Sequence, residues 1–293
     1  MEALARTLPP RAVARDGVGV ILAASVLFGT MALFVRLAAR EMPPVQITFV
    51  RFVGSLLILL VTTRGRGLAR RGPAGPLVVR GLIGAAAISL YFVAIAGAGA
   101  GLATLLQNSY PVFAASFAAL LLREPFSARL VAALALNLAG LGLVLAPEAR
   151  VHPAAVMGAL AACGSALLSG GAVVAARHLR RTESASVITT WFMAVGLVVT
   201  APALAIGLPA PSVPLVLALV GVIVTSVAGQ WLLHHGLGFI SVARGSLMAA
   251  TSVVTATVLE SIVLGEHLGA HVLVGACCMV AAVALASDRP SAS

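Results

Sequence analysis

The chain has 293 residues, 60% of them hydrophobic and 10% charged, and 19 basic against nine acidic residues give a formal net charge of +10. A mean hydropathy of +1.09 excludes an ordinary soluble domain. All the basic residues are Arg, and in so apolar a chain they read as headgroup-facing topology signals, which excludes a nucleic-acid surface.

A membrane-crossing helix needs about 20 mainly apolar residues. In chain order the sequence predicts ten, at 17–38, 45–63, 77–97, 101–122, 128–147, 153–178, 185–206, 213–236, 241–264 and 268–287. The connections are too short for a soluble domain. The first span is too long for the apolar core of a signal peptide and reads as a retained anchor. The fold class is therefore all-α and integral to the membrane. It divides into a cytoplasmic segment 1–16, a five-helix repeat 17–147, a second repeat 153–287 and a cytoplasmic tail 288–293.

The repeats align at one offset. Adding 142 carries Leu37 to Leu179, Thr48 to Thr190, Gly54 to Gly196, Leu105 to Leu247, Val112 to Val254, Ala114 to Ala256 and Glu124 to Glu266. The Glu match is the informative one, because acidic residues are so few. An odd number of spans per copy forces the second to enter from the opposite side, and inverted-topology repeats are a transporter's architecture. With the N-terminus inside, fifteen Arg fall on the cytoplasmic side, from Arg6 to Arg289 and including Arg80. Arg36, Arg40 and Arg150 fall outside, and Arg51 lies within a span. The positive-inside rule thus puts both termini in the cytoplasm. An Arg-, Ala- and Gly-rich chain without Lys suggests a bacterial inner membrane.

Polar groups inside a bilayer are costly and are the natural functional candidates. The fourth span holds the densest cluster, Gln107, Asn108, Ser109 and Tyr110, followed by Pro111, which cannot donate to the carbonyl of Gln107 and makes a candidate hinge. The cluster suits a neutral, hydrogen-bonding substrate site, or else a kink satisfied by neighbouring helices. Its second-repeat counterpart carries Thr251, Ser252 and Thr255. Tyr91 at mid-depth in the third span is a cavity candidate, and Gln230 and Trp231 on the eighth are further substrate candidates, although Trp231 also fits an interfacial anchor. Arg51 and Glu260 sit at similar depth near the outer ends of their spans and can form a gate, unless each snorkels separately. His234 and His235 end the eighth span at the inner face, and His235 is a candidate coupling group. Glu124 and Glu266 precede helices and suit their dipoles. Gly97, Gly99 and Gly101 form a turn, and Gly140 and Gly142 allow close helix approach.

Leu27-Phe28-Gly29, Phe49-Val50-Arg51-Phe52, Tyr110-Pro111-Val112-Phe113, Leu122-Arg123-Glu124-Pro125 and Leu264-Gly265-Glu266-His267 resemble the twice-repeated EamA-type domain of the drug/metabolite transporter superfamily. The resemblance covers residues 17 to 287 and within the superfamily is greatest to YddG-type amino-acid exporters. It implies a basket-like ten-helix bundle with a central cavity lined from both halves, Tyr91, Gln107, Asn108, Tyr110, Ser252 and Thr255 among the lining. Val253 stands where the second copy would match Pro111, which puts a symmetric proline hinge in doubt.

These readings converge on a secondary or facilitative exporter of small neutral metabolites, working by alternating access. Aromatic and other neutral amino acids, such as phenylalanine, threonine and methionine, are the expected substrates, and the lipid bilayer is its surrounding. Drugs or lipid-like metabolites are the alternative cargo. A non-transporting membrane subunit or sensor does not need the inverted symmetry. No catalytic residue is expected, because no His or Asp lies at the depth of Ser109 or Ser252. No cofactor is expected either, since no phosphate-binding loop is present and Cys163, Cys277 and Cys278 lack metal-site spacing. The oligomer is expected to be a monomer or a dimer.

Overall fold

The computed structural model describes residues 10–98, 106–123, 127–145, 155–264 and 270–287. Apart from two short 3-10 segments, these residues form α-helices, with no strand among them. In chain order the α-helices are α1 (Pro10–Ala38), α2 (Pro44–Thr62), α3 (Ala74–Ala98), α4 (Tyr110–Leu122), α5 (Ala128–Leu145), α6 (Ala155–Leu179), α7 (Ala185–Thr200), α8 (Val213–Gly236), α9 (Val242–Ala250), α10 (Ser252–Leu264) and α11 (Ala270–Ser287). Six stretches are long and apolar enough to cross a membrane, namely Gly17–Ala38, Pro44–Thr62, Ala74–Tyr91, Leu160–Leu179, Ala185–Ala205 and Val213–Gly236. Shorter apolar helices lie at Tyr110–Leu122 and Ala128–Gly140. Glu124, Glu266, Gly99 and Gly101 lie outside the described residues, as does the side chain of Glu260.

The expected seventh span runs to residue 206, but α7 stops at Thr200 and tightens into a 3-10 segment, Ala201–Ile206. Pro202 has no N–H to extend the α-helical ladder. That segment ends on Gly207 at φ 78°, and its counterpart Gly65, 142 residues earlier, has φ 75°. Both need the left-handed backbone that glycine adopts without a steric penalty.

Packing follows the same offset. Extensive contacts join helices of different repeats, with α1 on α8 matched by α6 on α3, and α1 on α10 matched by α6 on α4. α5 packs on α11, and α2 on α7. Close approach is built on glycine. A Cβ at Gly29 of α1 would lie 2.5 Å from Cβ of Thr255, 2.7 Å from the Ser252 carbonyl oxygen and 2.8 Å from the Ala256 nitrogen. A Cβ at Gly170 of α6 would lie 2.8 Å from the Ala114 nitrogen and 2.8 Å from Cβ of Phe113. Apolar side chains such as Val61, Leu120, Val198 and Ile262 point outward and are strongly exposed, as a lipid-facing surface requires.

The inter-helix turns repeat the motif in polar form. Glu183, between α6 and α7, is buried and accepts the N–H groups of Arg71 at 2.8 Å and Gly72 at 2.6 Å from the α2–α3 turn. At the opposite end Glu41, between α1 and α2, is exposed and accepts the Ser212 hydroxyl of the α7–α8 turn at 2.6 Å. Glu41 and Glu183 are themselves 142 apart. Each therefore grips the second turn of the other repeat.

Candidate substrate cavity

A cavity of about 380 Å³ lies between the repeats. Its lining runs from Arg80 and Leu233, toward the α2–α3 end, past Arg51, Tyr91, Gln107, Asn108 and Tyr110, to Ala39 and Pro44 at the α1–α2 turn. Phe28, Met31, Ile88, Val173 and Phe192 supply apolar wall. A separate surface hollow bordered by Arg64, Arg66, Ser184 and Ser186 is more open and involves only the turns of one end.

Its polar floor is made by broken helices. In the first repeat, turn residues Asn108 and Ser109 precede α4. The Ser109 hydroxyl donates to the Leu106 carbonyl at 2.6 Å, and its N–H donates there too, at 3.1 Å. In the second, Thr251 separates α9 from α10, and its hydroxyl and N–H both donate to the Met248 carbonyl, at 2.7 and 3.1 Å. Ser109 maps on Thr251 and Leu106 on Met248 at the offset of 142, so the two breaks are equivalent. The second needs no proline; Thr251 bonds back to its own helix and meets the Ser25 hydroxyl of α1 at 2.7 Å. Pro111 itself occupies the first turn of α4, where its missing N–H costs least.

Six of the eight substrate candidates line the cavity: Tyr91, Gln107, Asn108, Tyr110, Gln230 and Ser252. The Tyr110 hydroxyl donates to the Ser246 carbonyl at 3.0 Å and the Gln107 amide to the Ser169 hydroxyl at 3.0 Å. The side-chain oxygens of Gln107 and Gln230 are buried without a hydrogen-bond partner. Thr255 and Trp231 are not among the cavity's lining residues. Thr255 packs against Gly29 of α1. The Trp231 indole donates to the Ser186 hydroxyl at 3.0 Å and stacks on His235, ring centroids 5.2 Å apart. His235, edge-on to Phe239 as well, sits in that aromatic stack and is not among the cavity's lining residues.

The arginines are placed differently from expectation. Arg51 does not snorkel; it is 4% exposed, with Nε donating to the Ser226 hydroxyl of α8, and it lines the cavity. Arg80, read above as a topology determinant, is also buried, with its guanidinium 4.2 Å above the Phe192 ring. Its Nη2 lies 3.0 Å from Nε2 of His234, and Nδ1 of that ring lies 2.8 Å from the Thr189 hydroxyl. Thr189 spends its proton on the Ala185 carbonyl. Its oxygen must therefore accept from Nδ1–H, leaving Nε2 bare to accept from Arg80, which can only donate. His234 is fully buried in the last turn of α8, between Arg80 and Thr189. The helical spacing offered a signal, because Arg80, Gly84, Ala87, Ile88 and Tyr91 recur on one face of α3 and all line the cavity. Tyr91 pointed back along that stripe to Arg80.

An inverted repeat enclosing a mid-bundle cavity beside paired helix breaks is a carrier's geometry. Residues 15–146 and 156–288 each match the EamA-like transporter family. The chain belongs to that family. Among curated EamA-like relatives, the pseudopaline exporter CntI of Pseudomonas aeruginosa is 33% identical over 192 residues, 64% of this chain and 66% of that protein. The match thus spans just under two thirds of that relative. An uncharacterized transporter of Archaeoglobus fulgidus is 26% identical over 286 residues, 93% of this chain and 96% of the other. A solved crystal structure superposes with a TM-score of 0.82 at 23% identity, over 93% of this chain and 96% of that one, a likeness of fold alone. The EamA assignment makes the chain a multi-pass membrane transporter with a small-molecule substrate.

Proposed function

We propose that this EamA-like transporter exports small carboxylate-bearing metabolites, amino acids among them, by alternating access around the central cavity. The observation that carries this reading is the cavity's chemistry: guanidinium groups of Arg51 and Arg80 on one wall, and amide oxygens of Gln107 and Gln230 without partners on the others. A guanidinium fork suits a carboxylate, and the amide oxygens suit an ammonium or hydroxyl. The sequence-based expectation of a neutral amino acid gains a carboxylate anchor and loses its uncharged site. Cationic drugs fit poorly beside two buried positive charges. The pseudopaline exporter among the relatives supports export as the direction.

In the orientation favoured by the Arg distribution, the α1–α2 end is extracellular, and the cavity's lining reaches Ala39 and Pro44 there. The equivalent breaks at Ser109 and Thr251 supply the joints about which α4 and α9–α10 change direction between states.

The test is uptake of labelled phenylalanine, threonine and methionine into liposomes holding the purified protein, with Tyr91→Ala and Asn108→Ala in parallel and ethidium as a cationic control. Saturable uptake of at least one amino acid, weakened by both variants, is the expected result. Uptake of ethidium alone would replace this reading by drug export.

A further inference from the structure

We infer that the cavity is built for an organic anion with two carboxylates, one held by Arg51 and the other by Arg80, with an apolar body against the Phe28–Ile88 side. This deepens the export reading and rests on it for the cavity's role. The two guanidiniums stand on neighbouring helices, α2 and α3, Arg51 5.5 Å from the Phe52 ring and Arg80 4.2 Å from the Phe192 ring, and those rings meet edge-on with centroids 5.4 Å apart. Both are 4% exposed, whereas Arg36, the third arginine of the lining, is exposed; no Asp or Glu lines the cavity among the described residues. Buried like charges without counter-charge are unfavourable, and a ligand that supplies the missing negative charges relieves both at once. A zwitterion with one carboxylate answers only one of them.

Arg80 is held for this purpose. His234 takes Nη2 and is itself fixed by Thr189, while Nε and Nη1 of Arg80 are buried with no hydrogen-bond partner. Gly84 opens the space that Nη1 occupies, because a Cβ there would overlap that nitrogen and approach the Phe192 ring to 2.8 Å. Arg51 is likewise tied by a single hydroxyl, on Ser226. Among the described residues, each cation is oriented by a neutral partner that leaves its charge uncompensated, the arrangement expected where the counter-ion is the ligand. His234 and Thr189 are thus positioning residues.

The probes are phenylsuccinate with two carboxylates, 3-phenylpropionate with one and 3-phenylpropanamide with none, each titrated against purified protein in nanodiscs and offered to proteoliposomes. Phenylsuccinate is expected to bind about 10-fold or more tighter than 3-phenylpropionate, with no binding of the amide. Arg51→Gln and Arg80→Gln are each expected to bring phenylsuccinate down to the level of the monocarboxylate, with Arg80→Lys intermediate. If either Gln variant fails to fold, Thr189→Val replaces it, and weakened phenylsuccinate binding with unchanged 3-phenylpropanamide behaviour is the expected outcome. Equal affinity for all three probes, no phenylsuccinate binding by folded protein, or binding indifferent to these variants would overturn the inference. Arginine-dependent phenylsuccinate binding with no uptake of any compound keeps the site and removes the export reading. Phenylalanine uptake untouched by Arg80→Gln, with no phenylsuccinate binding, does the reverse.

Discussion

Gly29→Ala separates close packing between repeats from ordinary helix propensity. The added Cβ meets Thr255, Ser252 and Ala256 of α10 at 2.5 to 2.8 Å, against 3.4 Å for an ordinary contact, a shortfall of about 0.6 to 0.9 Å. Two of the three atoms are backbone, so no rotamer change relieves the clash and α1 must move away from α10. Overpacking of this kind costs about 2 kcal/mol, which lowers the folded-to-unfolded ratio roughly 30-fold. Gly19 lies on the same helix with nothing within 4 Å of its Cβ position. Gly19→Ala should therefore gain about 0.5–1 kcal/mol from helix propensity. Both are measured by reversible unfolding of the protein from bicelles with SDS, next to transport in liposomes. Gly29→Ala is expected to lose stability and transport while Gly19→Ala keeps both. Equal stabilities for the two variants would refute the idea that α1 and α10 touch through Gly29.

Thr251→Val removes the hydroxyl that bonds to Met248 and Ser25. A loss of about 1–2 kcal/mol in the same unfolding assay is expected, with slowed transport; unchanged values would mean that the break at Thr251 is set by packing alone. Thr189→Val frees His234 from its orienting partner, and a substrate KM raised about 10-fold with kcat nearly unchanged is expected in liposome kinetics. A fall in kcat at constant KM would contradict a positioning role. Glu183→Ala leaves the N–H groups of Arg71 and Gly72 without their carboxylate, costing about 2–3 kcal/mol and exposing the α2–α3 turn to limited proteolysis. Glu41→Ala, at the exposed counterpart, should stay within about 0.5 kcal/mol of the parent.

Helix positions were legible because each is a long apolar run, and the repeat because rare acidic residues keep its register. Gln107, Asn108 and Tyr110 stood out because polar groups at mid-depth are costly, and all three line the cavity. Arg80 was missed for the opposite reason: three residues inside the expected boundary of its span, a charge has the ordinary explanation of facing headgroups. Only the turn of α3 reveals that it faces inward with Tyr91. Thr255 and Ser252 are three residues apart on one helix and both approach Gly29, yet of the two only Ser252 is among the cavity's lining residues. The pairing of Glu41 with Glu183 was present in the sequence at the same offset as Glu124 with Glu266. Its meaning depends on partners more than a hundred residues away, which no local pattern encodes.

Glu41 and Glu183 also carry a consequence for energetics. They are the two descendants of one duplicated residue, and descent has made them unequal: one is exposed on a single hydroxyl, the other is buried on two backbone amides. A perfectly duplicated carrier would have two access states of equal free energy. Here the weaker latch stands at the α1–α2 end, where the cavity's lining includes Ala39 and Pro44, and the stronger latch stands at the α2–α3 end. The resting poise of the machine is then a difference between two homologous contacts, adjustable by evolution at either latch without altering a residue that touches cargo.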